Sequence, residues 1–156
     1  MKYIVRNAKE GDLLTIININ LQTLPEHYPY EFWLEHLRKW GKAFFVAEVD
    51  NLVVGYVMAR VELGFGHLSK RLTRMGHIIS IAVLPNYRRK GIGKALMLAC
   101  IDSLKNHYKA SEVYLEVRVS NEPAIKLYEA LGFKKVKILE SYYLDGENAY
   151  LMAKKL

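Results

Sequence analysis

Apolar residues recur along the chain with two periods, one helical and one alternating. After a first β-rich run near Tyr3–Arg6, Leu13, Ile16, Ile17 and Leu21 fall on one helix face, with Asp12 placed to cap its start. The two prolines of LPEHYPY then interrupt regular structure. EFWLEHLRKW resumes the helical spacing, and Gly41 stands where that helix should close. In AFFVAEVDNLVVGYVMARVEL two β-rich runs meet at Asp50-Asn51, residues that tolerate left-handed turn geometry, which predicts a hairpin. GHIISIAVL has the β-branched content of a buried strand. Ile92, Ala95, Leu96 and Ala99 define an amphipathic helix running to about Lys105. VYLEVRV alternates as a strand, and PAIKLYEAL is a helix begun by Pro123 and stopped by Gly132. KKVKILE and NAYLMAKK are the last strands. GFGHLSKRLTRMG, residues 64–76, is rich in glycine and cations and is predicted as loop.

The order is therefore β-α-α-β-β-β-α-β-α-β-β. Strand, helix, strand and helix around residues 77–131 imply a parallel crossover, while the flanking hairpins imply antiparallel pairing. The fold class is α/β (α+β) with a mixed sheet. No repeat, low-complexity tract or linker divides the 156 residues, so one domain, 1–156, is expected.

Charge changes the picture at one place. The chain carries 23 basic and 16 acidic residues, a formal +7, and its pI is near 9.4, which suggests an anionic partner. YRRKGIGKALM concentrates cations where side chains are also removed, at the junction of a strand and a helix. A helix start offers unpaired N–H groups and the positive end of its dipole. Gly91 and Gly93 let an anion approach the backbone, and Arg88, Arg89, Lys90 and Lys94 surround it with charge. Two nucleotide motifs fail here. A P-loop would need glycine and a hydroxyl where Arg88 and Ala95 stand, and a Rossmann turn needs glycine in place of Leu96.

Arg88-x-x-Gly91-x-Gly93 resembles the pyrophosphate-binding turn of the GNAT acetyltransferases. LPEHYPYEFW, GHIISIAV, YLEVRVSNEPAIKLYEALGF and YYLDGENAYLM extend the likeness to the N-terminal (protein Nα) acetyltransferases. These include archaeal enzymes, the catalytic subunit of the eukaryotic A-type enzyme and bacterial ribosomal-protein alanine acetyltransferases. The resemblance implies a seven-stranded mixed sheet flanked by about four helices. It also implies acetyl-CoA as donor, with no metal, and direct attack of a protein α-amino group in a ternary complex.

Several residues acquire candidate roles from it. Glu116 lies on the Tyr114–Glu116–Arg118 face of its strand, and a carboxylate there needs a partner or a job. Relatives place the general base at this position; an ion pair with a nearby arginine is the alternative. His77 occupies the matching position in GHIISIAV and could share the relay as a neutral imidazole, or be satisfied by backbone. Tyr128 matches the tyrosine that protonates the coenzyme sulfur, or is a core aromatic. Ile81, Ala82 and Val83 match the segment that pairs with the pantetheine arm, with a backbone N–H near Val83 as oxyanion donor. Ile92 completes the glycine turn. Asn121 matches a cofactor contact and could equally cap its helix. Leu24, Pro25, Glu26 and Tyr28 resemble the first substrate loop, and Tyr142 and Tyr143 resemble tyrosines that hold the peptide backbone. His27, His36, His67 and His107 lack metal-ligand spacing and are read as surface or packing residues.

The lone Cys100 excludes an intramolecular disulfide and a cysteine zinc cage. No apolar run reaches the ~18 residues that span a bilayer, and MKYIVRNAKEGD lacks a signal-peptide core. A soluble, cytoplasmic monomer is expected, acting on protein N-termini, including nascent chains at the ribosome. Two alternatives stay open at this point: a lysine or small-amine acetyltransferase, and a basic module that binds nucleic acid or the ribosome. Nucleic acid is not expected as a substrate.

Overall fold

A computed structural model describes residues 2–156. Seven strands form one mixed sheet in the order β1-β2-β3-β4-β5-β7-β6. They are β1 (Ile4–Asn7), β2 (Phe45–Val49), β3 (Leu52–Phe65), β4 (Leu72–Val83), β5 (Glu112–Arg118), β6 (Lys134–Leu139) and β7 (Ala149–Lys155). Four helices accompany them: α1 (Leu13–Thr23), α2 (Tyr30–Trp40), α3 (Ile92–Asn106) and α4 (Glu122–Ala130). β4 and β5 pair in parallel, and β5, β7 and β6 pair antiparallel, as the crossover and the last hairpin require. The chain groups into two compact units, Met1–Arg60 with Ile78–Tyr108 and Val61–His77 with Lys109–Leu156.

In the first unit the alternation of β3 sorts the helices. Tyr56 joins Leu13, Ile16, Ile19, Trp33 and Phe44 in a core under α1 and α2. Its neighbour Gly55 points the other way, toward α3: a Cβ there would lie 3.3 Å from Leu96 Cδ1 and 3.0 Å from the Ala82 carbonyl oxygen. Asp50 and Asn51 take φ of 50° and 65°, the left-handed pair that a two-residue hairpin needs.

Two expected helix signals act differently. Asp12 does not cap α1. Its carboxylate instead takes both Arg6 Nη groups at 2.8 and 3.0 Å and the Lys9 N–H at 2.8 Å, while Arg6 also reaches Glu48. A bidentate guanidinium satisfies a carboxylate better than a single helix amide does. Gly41, at φ −57°, continues α2 into a tighter turn over Gly41–Ala43 rather than ending it in left-handed geometry.

The expected loop over 64–76 is a turn only at its centre, with strand on both sides. β3 runs to Phe65 and β4 begins at Leu72, leaving a turn of Gly66–Arg71. Glu112, on β5 and 2% exposed, organises this turn by accepting the Leu68 and Ser69 N–H groups at 3.0 and 2.7 Å. Gly66 is required there, because a Cβ would fall 2.3 Å from Glu112 Oε2. Burial would raise the Glu112 pKa, but the amide bonds outweigh it and the net direction is down. Its contribution is thus complete above the ordinary 4.5 and is lost as pH falls through the lowered value.

Glu112→Gln should destabilise the protein by about 1.5–3 kcal/mol at neutral pH, read from urea unfolding. The gap to wild type should close as pH falls below about 4.5. Equal stability at pH 7 would mean that the turn amides do not need the charge.

Candidate active site

The glycine turn sits where β4 hands over to α3. After Val83 the chain makes one tight turn at Pro85–Tyr87 and passes Arg89 at φ 61° and Gly91 at φ 82° before α3 begins at Ile92. Arg88 Nε donates to the Val83 carbonyl at 2.8 Å, so this arginine fixes the strand end. Ile92 is buried and anchors the first helical turn. No side chain caps the helix, which leaves its first N–H groups for a ligand. A Cβ on Gly91 would meet only the Tyr3 hydroxyl, at 3.7 Å. Backbone conformation, not crowding, is therefore what calls for glycine here. Arg88, Arg89, Lys90 and Lys94 are all exposed around the turn. Uncapped amides, a left-handed glycine and exposed cations are what a pyrophosphate needs, so the residues present fit coenzyme A. Ile81, Ala82 and Val83 close β4 beyond the β4–β5 register, which covers Met75–His77.

The second unit holds a chain of titratable side chains. The parallel register sets His77 opposite Tyr114, and the two rings stack at 4.0 Å and 16°. Glu116, two residues further along the same face of β5, brings Oε1 to 2.8 Å from His77 Nε2. Glu62 of β3 brings Oε2 to 2.9 Å from Nδ1, and the Tyr114 hydroxyl donates to Glu62 Oε1. His77 is 9% exposed. Burial alone would lower its pKa, but hydrogen bonds and charge from Glu116 and Glu62 reverse that, and the net direction is up. Both contacts are full hydrogen bonds only when both ring nitrogens carry protons. The two carboxylates thus favour the imidazolium more than an ordinary site would, and they, rather than backbone, satisfy both ring nitrogens. The pairing stabilises the fold fully below pH 6.5 and is lost as pH rises through the raised value.

A model of the Acetyltransferase (GNAT) family matches residues 13–133. The chain belongs to the GNAT acetyltransferase family. It is 59% identical over 156 residues to an N-alpha-acetyltransferase of Saccharolobus solfataricus, across 99% of this chain and 93% of that one. The N-terminal acetyltransferase A complex catalytic subunit NAA10 of Arabidopsis thaliana is 40% identical over 154 residues, 97% of this chain and 77% of the relative. Among solved structures, Chaetomium thermophilum Naa20 in complex with a bisubstrate analogue aligns with TM-score 0.85 at 30% identity, covering 98% and 86% of the two chains.

Against the GNAT frame, the remaining expected residues fall into two groups. In the first unit, Leu24, Glu26 and Tyr28 are half-buried and Pro25 is exposed. Their loop is held by Asn20, whose Nδ2 donates to the Glu26 carbonyl at 3.0 Å and to the Tyr56 hydroxyl at 3.2 Å; Ser80 Oγ lies 2.7 Å beyond. Trp33 Nε1 adds a bond to the Tyr28 carbonyl at 3.2 Å, and Tyr28 stacks on Phe32. His27 reaches the Leu24 carbonyl, and buried His36 donates to Phe32, as packing histidines do.

In the second unit, Asn121 caps α4 by accepting the Ala124 N–H at 3.3 Å, which engages its carbonyl oxygen and leaves its amide nitrogen. Tyr128 is buried, and desolvation pushes its pKa up to about 12. Tyr142 and Tyr143 meet edge to face at 5.0 Å, and Arg118 lies 4.1 Å over the Tyr143 ring. The same guanidinium holds Asp145 at 2.8 Å and Glu147 at 2.9 Å. Arg118 thus braces the tyrosine loop and leaves Glu116 to His77. Sequence reading missed Glu62, Arg118 and Asn20. For the first two the available signal was a charge inside a strand pattern; Asn20 offered only a polar residue in an apolar helix.

His67, in the Gly66–Arg71 turn, packs 4.4 Å from Tyr114; burial, then Lys137, hold its pKa below the ordinary value. Proton NMR of the imidazoles should therefore show His77 titrating above 6.5 and His67 below it. A His77 midpoint below 6.5 would mean the two carboxylates do not engage the ring in solution.

Proposed function

We infer that this chain transfers the acetyl group of acetyl-CoA to the α-amino group of protein N-termini. The observation that carries the reading is 59% identity to an N-alpha-acetyltransferase along nearly the whole of both chains. When bound, acetyl-CoA supplies the acetyl group already activated as a thioester. The uncapped start of α3, with Gly91, Ile92, Gly93 and the cations Arg88, Arg89, Lys90 and Lys94, holds its pyrophosphate. Ile81–Val83 line the pantetheine arm, a backbone N–H near Val83 serves the oxyanion, and Asn121 adds a contact from its amide nitrogen.

The amine sets the chemical demand. An α-amino group has a pKa near 8 and a lysine near 10.4, so the neutral form costs about 1.4 kcal/mol at pH 7 for a terminus and about 4.6 for lysine. The smaller cost suits a carboxylate–imidazole pair working through water. Glu116 and His77 take up the proton of the amine, which attacks directly in a ternary complex, and the bisubstrate analogue held by Naa20 supports that geometry. Tyr128 stays protonated at neutral pH. Full transfer from a group near 12 to a thiolate near 8.5 would be uphill by about 5 kcal/mol, so Tyr128 acts chiefly by donating a hydrogen bond to the leaving sulfur. Leu24, Pro25, Glu26 and Tyr28 on one loop, and Tyr142 and Tyr143 on another, receive the first residues of the substrate.

The reading includes one catalytic domain over 1–156, working as a monomer in the cytoplasm on protein N-termini, nascent chains at the ribosome among them. The free, buried thiol of Cys100 suits a reducing compartment.

The test offers acetyl-CoA with two peptides, one with a free terminus and no lysine, the other blocked at its terminus and carrying an internal lysine. Intact mass should show acetylation of the first alone. Glu116→Gln should lower kcat/KM by about 100-fold, and Tyr128→Phe by about 10-fold or more. Preference for the lysine peptide would overturn the substrate while leaving the fold; turnover within about twofold of wild type in both variants would overturn the roles.

A further inference from the structure

Glu62 closes a run of four side chains that no sequence motif announced. Tyr114 donates to Glu62 Oε1, Glu62 Oε2 faces His77 Nδ1, and His77 Nε2 faces Glu116 Oε1. We propose that Glu62 is a positioning residue for acetyl transfer: it keeps a proton on His77 Nδ1, so that Nε2 is directed at Glu116 and the pair accepts the proton of the incoming amine. The inference rests on the reading of Glu116 and His77 as the proton path.

With a carboxylate at each nitrogen, the proton of the neutral ring stays beside the carboxylate whose two oxygens are both occupied. Both oxygens of Glu62 accept hydrogen bonds, one from Tyr114 and one from His77. Glu116 is engaged through Oε1 alone among the described residues, so it is the carboxylate open to a substrate proton. When the ring is neutral, its proton sits at Nδ1 against Glu62. The Nε2 lone pair then faces the Glu116 carboxylate, an arrangement that gains from a proton between them. The amine loses one proton as its nitrogen bonds to the acetyl carbon and the carbon–sulfur bond of the thioester breaks. The Nε2–Oε1 pair gains that proton, and coenzyme A leaves as its thiolate toward the Tyr128 hydroxyl. No further reactant is needed.

The groups facing His77 are few. Glu62 comes from β3, and Tyr114 and Glu116 from β5. His67 contacts Tyr114, and Lys137 and Lys70 act on His67. The charge state of His77 is thus governed by the two carboxylates, and Glu62 is the one not committed to substrate.

The experiment follows the His77 midpoint by NMR and the pH profile of kcat/KM on a free N-terminal peptide, in wild type, Glu62→Gln and Glu62→Asp. In Glu62→Gln the midpoint should fall by about one pH unit, and the acid limb of kcat/KM should move to lower pH with it. Glu62→Asp should fall between the two, and it replaces the glutamine variant if thermal unfolding shows that variant unfolded. A midpoint shifted by less than about 0.3 unit in a folded variant overturns the coupling of Glu62 to His77. A midpoint that moves while the acid limb stays also overturns the proposal, and it places the failure in the Glu116–His77 proton path instead.

Discussion

A polar or charged side chain set into a sheet must be answered by a partner of complementary kind, and β5 presents this demand at every second residue. Glu112, Tyr114, Glu116 and Arg118 share one face, while Val113, Leu115 and Val117 are buried on the other. Each polar member is satisfied by a different element. Backbone amides of the β3–β4 turn answer Glu112, Glu62 answers Tyr114, His77 answers Glu116, and the β6–β7 loop answers Arg118. One strand thereby holds a hairpin tip, the His77–Glu62 pair and the loop that carries Tyr142 and Tyr143. An apolar strand would pack as well and organise none of them.

The first unit solves a different problem, that of holding irregular backbone still. Its loop over 24–28 has no ladder of its own, so the Glu26 and Tyr28 carbonyls are met by Asn20 and Trp33. Asn20 is itself pinned by Tyr56 and Ser80 inside the core, where an unsatisfied amide would cost about 1–3 kcal/mol. The glycine turn takes the opposite course. It leaves the amides at the head of α3 without a side-chain cap.

Much of this was legible in the sequence, because period and turn chemistry are local. The order of strands and helices, the Asp50-Asn51 turn and the strand–glycine–helix junction all follow from neighbours in the chain. Contacts between distant residues were not legible. Glu112 lies 44 residues from Leu68, so nothing local showed that the glycine-rich tip was a supported hairpin rather than a loop. Asp12 looked like a cap because only the residues after it were in view, whereas Arg6 before it wins the carboxylate. His77 could be placed beside Glu116 by resemblance, but the second carboxylate, which engages its other ring nitrogen, comes from a strand where Glu62 looked like one more polar alternation.

The spacing of His77 and Glu116 also bears on the order in which the molecule is made. They are 39 residues apart, with α3 and the glycine turn between them. A ribosome extending the chain at about 5–20 residues per second releases the coenzyme turn before it has made β5. The anion cradle is therefore encoded wholly upstream of the residue that would use it. His77 and Glu62 emerge as a pair with one carboxylate, and the circuit closes only when the parallel strand docks. A chain truncated before Glu112 would keep every residue of the glycine turn yet lack the whole face of β5 that carries Tyr114, Glu116 and Arg118.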